Sequence, residues 1–228
     1  MSSRPAGLRL KAFDVRAQAP THRPTWVLVL GSMMLLTSGY SLISGLLKLR
    51  DPAVVLSVSM ANSSGSEAEL QLSQRLVAVR AATLPPHRAA LRVESLAEVA
   101  LALFGLYATA AVMARDRHGR SLALAVGALV IVYRIGALPV YLSLMRDYAE
   151  RGADLMATAI LQNAGSPTDL TAADLAHRLK TALVSEPVVV AAIGIAGALV
   201  LLVFFGGRRG RALYGIGAPP RPRPGNVS

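Results

Sequence analysis

Two ionisable side chains, Glu98 and Arg134, stand inside otherwise apolar stretches and are the strongest candidates for chemistry in this sequence. In a membrane helix an arginine costs at least about 2.5 kcal/mol, so such residues are usually paired or functional. Counted along helices from a turn at 115–120, the two residues lie about 24 and about 20 Å away. We therefore predict an ion pair between them; the alternative is an Arg134 that faces a water-filled path.

The neighbours of Arg134 predict a kinked helix. Tyr133 adjoins the arginine and Gly136 follows it. Pro139 has no N–H to donate to the carbonyl of Ile135, which favours a kink just beyond the charge. A charge beside a kink is typical of a gate or ligand site in a transport protein, whereas in a structural protein it locks two helices together.

Patterns that indicate catalysis are missing from the sequence. It has no cysteine, and its four histidines are scattered without the spacing of metal ligands. There is no G-x-S-x-G motif, and the Gly-Ile-Gly at 215–217 follows no strand. We expect a protein that is not an enzyme and that uses no cofactor and no metal.

Four apolar stretches, at 26–46, 95–114, 121–145 and 187–207, are each long enough to cross a bilayer as a helix. They predict an all-α, polytopic membrane protein built as a four-helix bundle. A basic segment at 1–25 precedes this domain of 26–207, and an Arg/Pro-rich tail follows at 208–228. The first stretch also resembles a signal peptide, but its length and the basic residues directly after it favour a retained anchor.

Charge is distributed unevenly between the segments that flank these stretches. Residues 1–25, 115–120 and 208–228 hold 13 Lys and Arg against two acidic residues, whereas the long connections 47–94 and 146–186 hold ten of each sign. The positive-inside rule then puts both termini in the cytoplasm. Arginine outnumbers lysine heavily, which is typical of a GC-rich bacterial genome, so we expect the bacterial inner membrane.

The same topology explains the pI of about 11.0 without nucleic acid. Arginines on the cytoplasmic side contact anionic lipid head groups, and the best candidates follow the last span: Arg208, Arg209 and Arg211. We expect no nucleic-acid binding.

The two long connections, expected outside the cytoplasm, contain signals for short amphipathic helices. Asp51-Pro52 begins one helix, and Ser66 with Glu69 begins a second, which Pro85-Pro86 should end. The third span is predicted to continue to about residue 162. Thr171 with Asp174 caps a further helix before the last span begins at Pro187.

Apolar residues on these loop helices repeat at helical spacing and form two stripes: Leu72, Leu76 and Val79, then Leu175, Leu179 and Leu183. Such stripes pack on neighbouring helices, or they form a docking face for a membrane or periplasmic partner, or a lid. We expect a non-enzymatic accessory or scaffold subunit whose external helices contact a partner. The alternative is a small transporter or channel component with Arg134 near its path.

Overall fold

The structure is a computed structural model that describes residues 25–56, 67–116, 118–163 and 171–214. The described part of the chain is helical, without strands. It comprises α1 (Thr25–Arg50), a 3-10 helix (Pro52–Leu56), α2 (Glu67–Met113), α3 (Gly119–Asn163), α4 (Ala172–Gly206) and the short α5 (Arg208–Leu213).

Four of these helices, α1 to α4, are long and apolar enough to cross a membrane, which confirms the predicted number of candidate spans. Two of them are much longer than a crossing requires. With 47 and 45 residues, α2 and α3 reach about 70 Å, more than twice the ~30 Å hydrocarbon core. The predicted extension of the third span is confirmed, since α3 ends at Asn163.

A tight turn joins α2 to α3, and we call the side of the bundle that holds it the hairpin end. Arg115 takes a left-handed conformation there, with φ of 56°. The N–H groups of Arg115 and Asp116 bond back to the carbonyls of Val112 and Ala111, at 3.1 and 2.9 Å. This is the Schellman pattern that satisfies the last carbonyls of a helix, so α2 ends here and reverses direction.

The prediction that Pro85-Pro86 ends a helix is wrong, because α2 runs unbroken through both prolines. Each proline removes one i→i−4 hydrogen bond, from the carbonyls of Ala81 and Ala82. Arg151 on α3 replaces one of them, its Nη1 lying 3.4 Å from the Ala82 oxygen. The neighbouring helix thereby offsets part of the cost of the proline pair.

The separate helix predicted after Thr171 is likewise the start of α4, which continues through Pro187. Its predicted cap is confirmed: Thr171 accepts the N–H of Asp174 at 3.1 Å. In the first connection, Asp51 accepts the N–H of Ala53 at 2.9 Å at the start of the 3-10 helix. The rest of that predicted helix and the Ser66 capping box lie outside the described residues.

Two apolar cores hold the bundle together. The hairpin-end core joins α1, α2, α3 and α4 around Met34, Val112, Val126 and Phe205. The far-end core joins the 3-10 helix, α2 and α3, with residues of α4 packed against it. Leu76 is buried in this second core, and the partly buried residues Val79, Leu179 and Leu183 pack against it.

Those stripe residues therefore cover apolar surface within the protein. Leu175 is also partly buried, while the side chain of Leu72 lies outside the described part. Packing of α2, α3 and α4 on one another accounts for most of the predicted stripes.

Candidate functional site

A buried cluster of charged and phenolic side chains joins α1, α2 and α3. Its centre is the ammonium group of Lys48, near the end of α1. Lys48 Nζ lies 2.7 Å from Glu98 Oε2 and donates a second hydrogen bond of 2.7 Å to the Tyr141 hydroxyl. A second carboxylate, that of Glu94, lies 3.8 Å from the same nitrogen.

Glu94 extends the cluster by about two turns along α3, from Tyr141 to Tyr133. Its Oε1 accepts a hydrogen bond from the Tyr133 hydroxyl. Its Oε2 is buried and has no hydrogen-bond partner. Both Glu94 and Glu98 are at most 6 % exposed, so the two carboxylates share one ammonium group where little water can reach.

The sequence builds this arrangement from helical spacing and one close approach. Glu94 and Glu98 are four residues apart and share a face of α2. Gly45 lets α1 lie against that face, since a Cβ there would come within 2.8 Å of Val99 Cγ2 and 3.3 Å of the Ser95 oxygen. Helical side chains lean toward the N-terminus of their helix, which directs Lys48 back toward the two carboxylates.

Arg134 is placed differently from the prediction. Glu98 pairs with Lys48, and the predicted ion pair between Arg134 and Glu98 is not formed. The arginine instead lies against α4, where a Cβ on Gly194 would be only 2.7 Å from its Nε. That Nε is buried without a hydrogen-bond partner, and the guanidinium lies 5.5 Å from the centre of the Tyr133 ring.

Glu98 pairs with Lys48 rather than Arg134 because of which helix packs against the face that carries Glu98. Gly45 brings α1 onto the face of α2 that carries Glu98, so the nearest cation is the one on α1. The predicted pair is based on the similar heights of Glu98 and Arg134 along the bundle, and height does not specify which helix a side chain faces. Gly136 and Pro139 lie on the same helix as Arg134, exposed and within continuous α-helix.

A histidine and an aspartate in contact join α2 and α3 beyond the cluster. His87 Nε2 lies 2.8 Å from Asp147 Oδ2. Together with the Arg151 bond at the proline pair, it braces the two long helices side by side. A weaker contact of 3.7 Å joins Lys180 of α4 to Asp154 of α3.

The contacts of this cluster hold helices together, and we call Lys48, Glu94, Glu98, Tyr133 and Tyr141 the buried lock. Each side chain of the cluster contacts another member, which ties three helices together and leaves Glu94 Oε2 as a buried oxygen without a hydrogen bond. Within the described ranges no group of three or more His, Asp or Glu is arranged to hold a metal ion. Of the predicted lipid-contacting arginines, Arg208 and Arg211 are exposed on α5, and the side chain of Arg209 is not described.

Sequence reasoning overlooked Lys48, Glu94 and Tyr141 because the first two sit at the edges of the apolar stretches and resemble ordinary flanking charges. The i, i+4 spacing of Glu94 and Glu98 was the available signal. Comparisons of the chain with known protein families, curated proteins and solved structures find no match.

Proposed function

We propose that this chain is a non-enzymatic accessory or scaffold subunit of the bacterial inner membrane, with both termini in the cytoplasm and the long helices projecting outward. The observation that supports this proposal is the continuity of α2, α3 and α4. No break separates the apolar part of each from its extension toward the far end. A partner that binds the extension is then rigidly connected to the membrane bundle.

Two features make the extension rigid. The far-end core fills the space between α2 and α3 with Leu91, Leu144 and Tyr148, all at most 1 % exposed. The buried lock around Lys48 fixes α1 to the same pair of helices. Stiff, well-packed helices suit a spacer or docking subunit better than a protein that must open.

The surface left for a partner lies outside the packed stripes. On the extension, Val77 is 59 % exposed and Ile160 is 47 % exposed, in contrast to the buried Leu76 beside Val77. Exposed apolar residues of this kind are available for a partner helix. Their removal should weaken binding without disturbing the core.

The proposal is tested by purifying the tagged full-length protein from bacterial membranes in mild detergent and identifying co-purifying proteins. We expect one stoichiometric partner, lost in Val77→Asp or Ile160→Asp while the melting temperature stays unchanged. Gln74→Asp is the matched control, because it adds a charge on the same helix at an exposed position without removing apolar surface. Absence of a partner from the wild-type preparation, or equal loss in Gln74→Asp, would contradict the proposal.

A second candidate function is a small transporter or channel component, and Arg134 is the observation that favours it. Its buried Nε has no hydrogen-bond partner, and the guanidinium forms no ion pair with the part of the chain that the structure describes. An unpaired cation in an apolar bundle attracts anions, so an anion path beside α3 and α4 is the form this function would take.

Anion flux into proteoliposomes tests this candidate. Flux that exceeds the leak of empty liposomes and disappears in Arg134→Gln would support it. The matched control is Arg146→Gln, an exposed arginine on the same helix. Flux equal to that of empty liposomes would exclude it.

A further inference from the structure

A pocket of about 410 Å³ lies between the 3-10 helix and α2, away from the buried lock. This volume falls within the range of small-ligand sites, roughly 300–1,000 Å³. Apolar side chains form most of the wall, among them Pro52, Leu84 and Pro85. The charged part consists of Asp51 and Arg88.

The two charges line the pocket without neutralising each other. Asp51 uses one oxygen, Oδ1, to accept the N–H of Ala53, and it forms no ion pair with a residue that the structure describes. Arg88 likewise has no ion pair or hydrogen bond with the described residues. Opposite charges that line one pocket without pairing are complementary to a ligand that carries both an ammonium and an anionic group.

A third polar group comes from the proline pair in α2. Pro85 has no N–H, so the carbonyl of Ala81 lacks its i+4 helical donor, and Ala81 lines the pocket. The equivalent carbonyl of Ala82 is served by Arg151 of α3. One freed carbonyl is thus used inside the fold, and the other belongs to a residue that lines the same pocket as Asp51.

The height of the pocket matches the head-group region of a bilayer. Asp51 lies about 39 Å along the chain from the start of α1, and Arg88 about 38 Å along α2 from the hairpin end. A bilayer is about 40–45 Å thick including its head groups, so both charges fall among the head groups of the leaflet opposite the hairpin end. The ligand most abundant at that height is a lipid.

We propose that this pocket binds a lipid with a phosphoethanolamine head group, such as phosphatidylethanolamine. The primary ammonium donates hydrogen bonds to the Asp51 carboxylate and the Ala81 carbonyl. The phosphate receives charge-assisted hydrogen bonds from Arg88. The proline rings of Pro52 and Pro85 cover the methylene groups between them.

Native mass spectrometry of the full-length protein tests this site by titration with phosphatidylethanolamine, phosphatidylcholine and phosphatidylglycerol of identical acyl chains. Phosphatidylcholine keeps the phosphate but has no ammonium N–H, and phosphatidylglycerol has no amine. We expect phosphatidylethanolamine to bind about tenfold more tightly than either, the size of one charge-assisted hydrogen bond.

Two variants assign the contacts. Asp51→Asn should reduce binding of phosphatidylethanolamine to the level of phosphatidylglycerol, whereas Arg88→Gln should weaken binding of both. Arg92→Gln is the matched control, because Arg92 is exposed on the same helix one turn away and does not line the pocket.

Three results would overturn the proposal: equal binding of the three lipids, equal losses in Arg92→Gln and Arg88→Gln, or glycerophosphoethanolamine in solution binding as tightly as the lipid. The last result would assign the pocket to a soluble zwitterion. Both charged side chains are exposed, so the variants should fold normally, and size-exclusion chromatography checks this.

Discussion

Lys48 and Arg134 are both cations that reach the interior of the bundle, and their surroundings differ. Lys48 contacts two carboxylates and a phenol hydroxyl, with its closest contacts at 2.7 Å. Among the described residues no carboxylate lies within ion-pair distance of Arg134, and its Nε is buried without an acceptor. One cation holds helices together, whereas the other lies beside Gly194 and contributes no such contact.

This difference distinguishes a charge that stabilises the fold from a charge that is available to bind a ligand. A buried charge with good partners is costly to break but performs no further reaction, since its partners are occupied. A buried charge without partners is costly to keep, so it is the better candidate for a role in binding or conduction. The variants below measure each side of this contrast.

Removal of Lys48 should have the largest effect. Lys48→Met leaves Glu94 and Glu98 together without a cation, which should lower the free energy of unfolding by about 3–5 kcal/mol. Thermal aggregation in detergent reports the loss. The double variant Lys48→Met/Glu98→Leu should recover part of it; strictly additive losses would show that the contact does not act as a lock.

Leu76→Asp places a charge without a partner in the far-end core. Because Leu76 is only 6 % exposed, we expect a loss of about 3 kcal/mol or more in the free energy of unfolding. Val77→Asp, at a neighbouring residue that is 59 % exposed, should leave the melting temperature unchanged. Equal melting temperatures for the two variants would contradict the packing of the leucine stripe.

Gly194→Ala tests the close contact of Arg134 with α4. A Cβ there would meet Arg134 Nε at 2.7 Å, whereas a Cβ on Gly197 meets nothing within 4 Å. Gly197→Ala should therefore raise the free energy of unfolding by up to about 1 kcal/mol through helix propensity. The free energy of unfolding of Gly194→Ala should be about 1–2 kcal/mol lower than that of Gly197→Ala. Equal melting temperatures would place the arginine elsewhere.

The smallest effect should come from Arg134 itself. Arg134→Met removes an unpaired charge and keeps most of the side-chain volume, so the free energy of unfolding should not fall and should rise by up to about 1 kcal/mol. Thermal aggregation in the same detergent gives the comparison with Lys48→Met. A loss as large as that of Lys48→Met would show that Arg134 has a partner of its own.

The four apolar helices could be predicted from the sequence because a run of about 20 apolar residues has few other stable solutions. The ends of the helices were harder to predict. Proline predicts a break from local chemistry alone, yet α2 continues through Pro85 and Pro86. Arg151, 65 residues beyond Pro86 in the chain, binds the freed carbonyl of Ala82 and offsets part of the cost.

The sequence predicts a buried ion pair that involves Glu98, but it predicts the wrong partner for that carboxylate. Helical spacing gives the height of Glu98, while the choice between Lys48 and Arg134 depends on which helix approaches its face. That approach depends on Gly45, whose small size matters only once α1 and α2 are in contact. Tertiary packing, rather than local sequence, decides such pairings.

Cysteine labelling in intact spheroplasts tests the proposed membrane topology most directly, because the chain contains no native cysteine. Gln71, Thr158 and Asp116 are exposed, so a cysteine at each should react with a thiol reagent that cannot cross the membrane. We predict labelling of Gln71→Cys and Thr158→Cys in intact spheroplasts, and labelling of Asp116→Cys only after permeabilisation. Labelling of Asp116→Cys in intact spheroplasts, with Gln71→Cys and Thr158→Cys protected, would contradict an outward projection of the long helices.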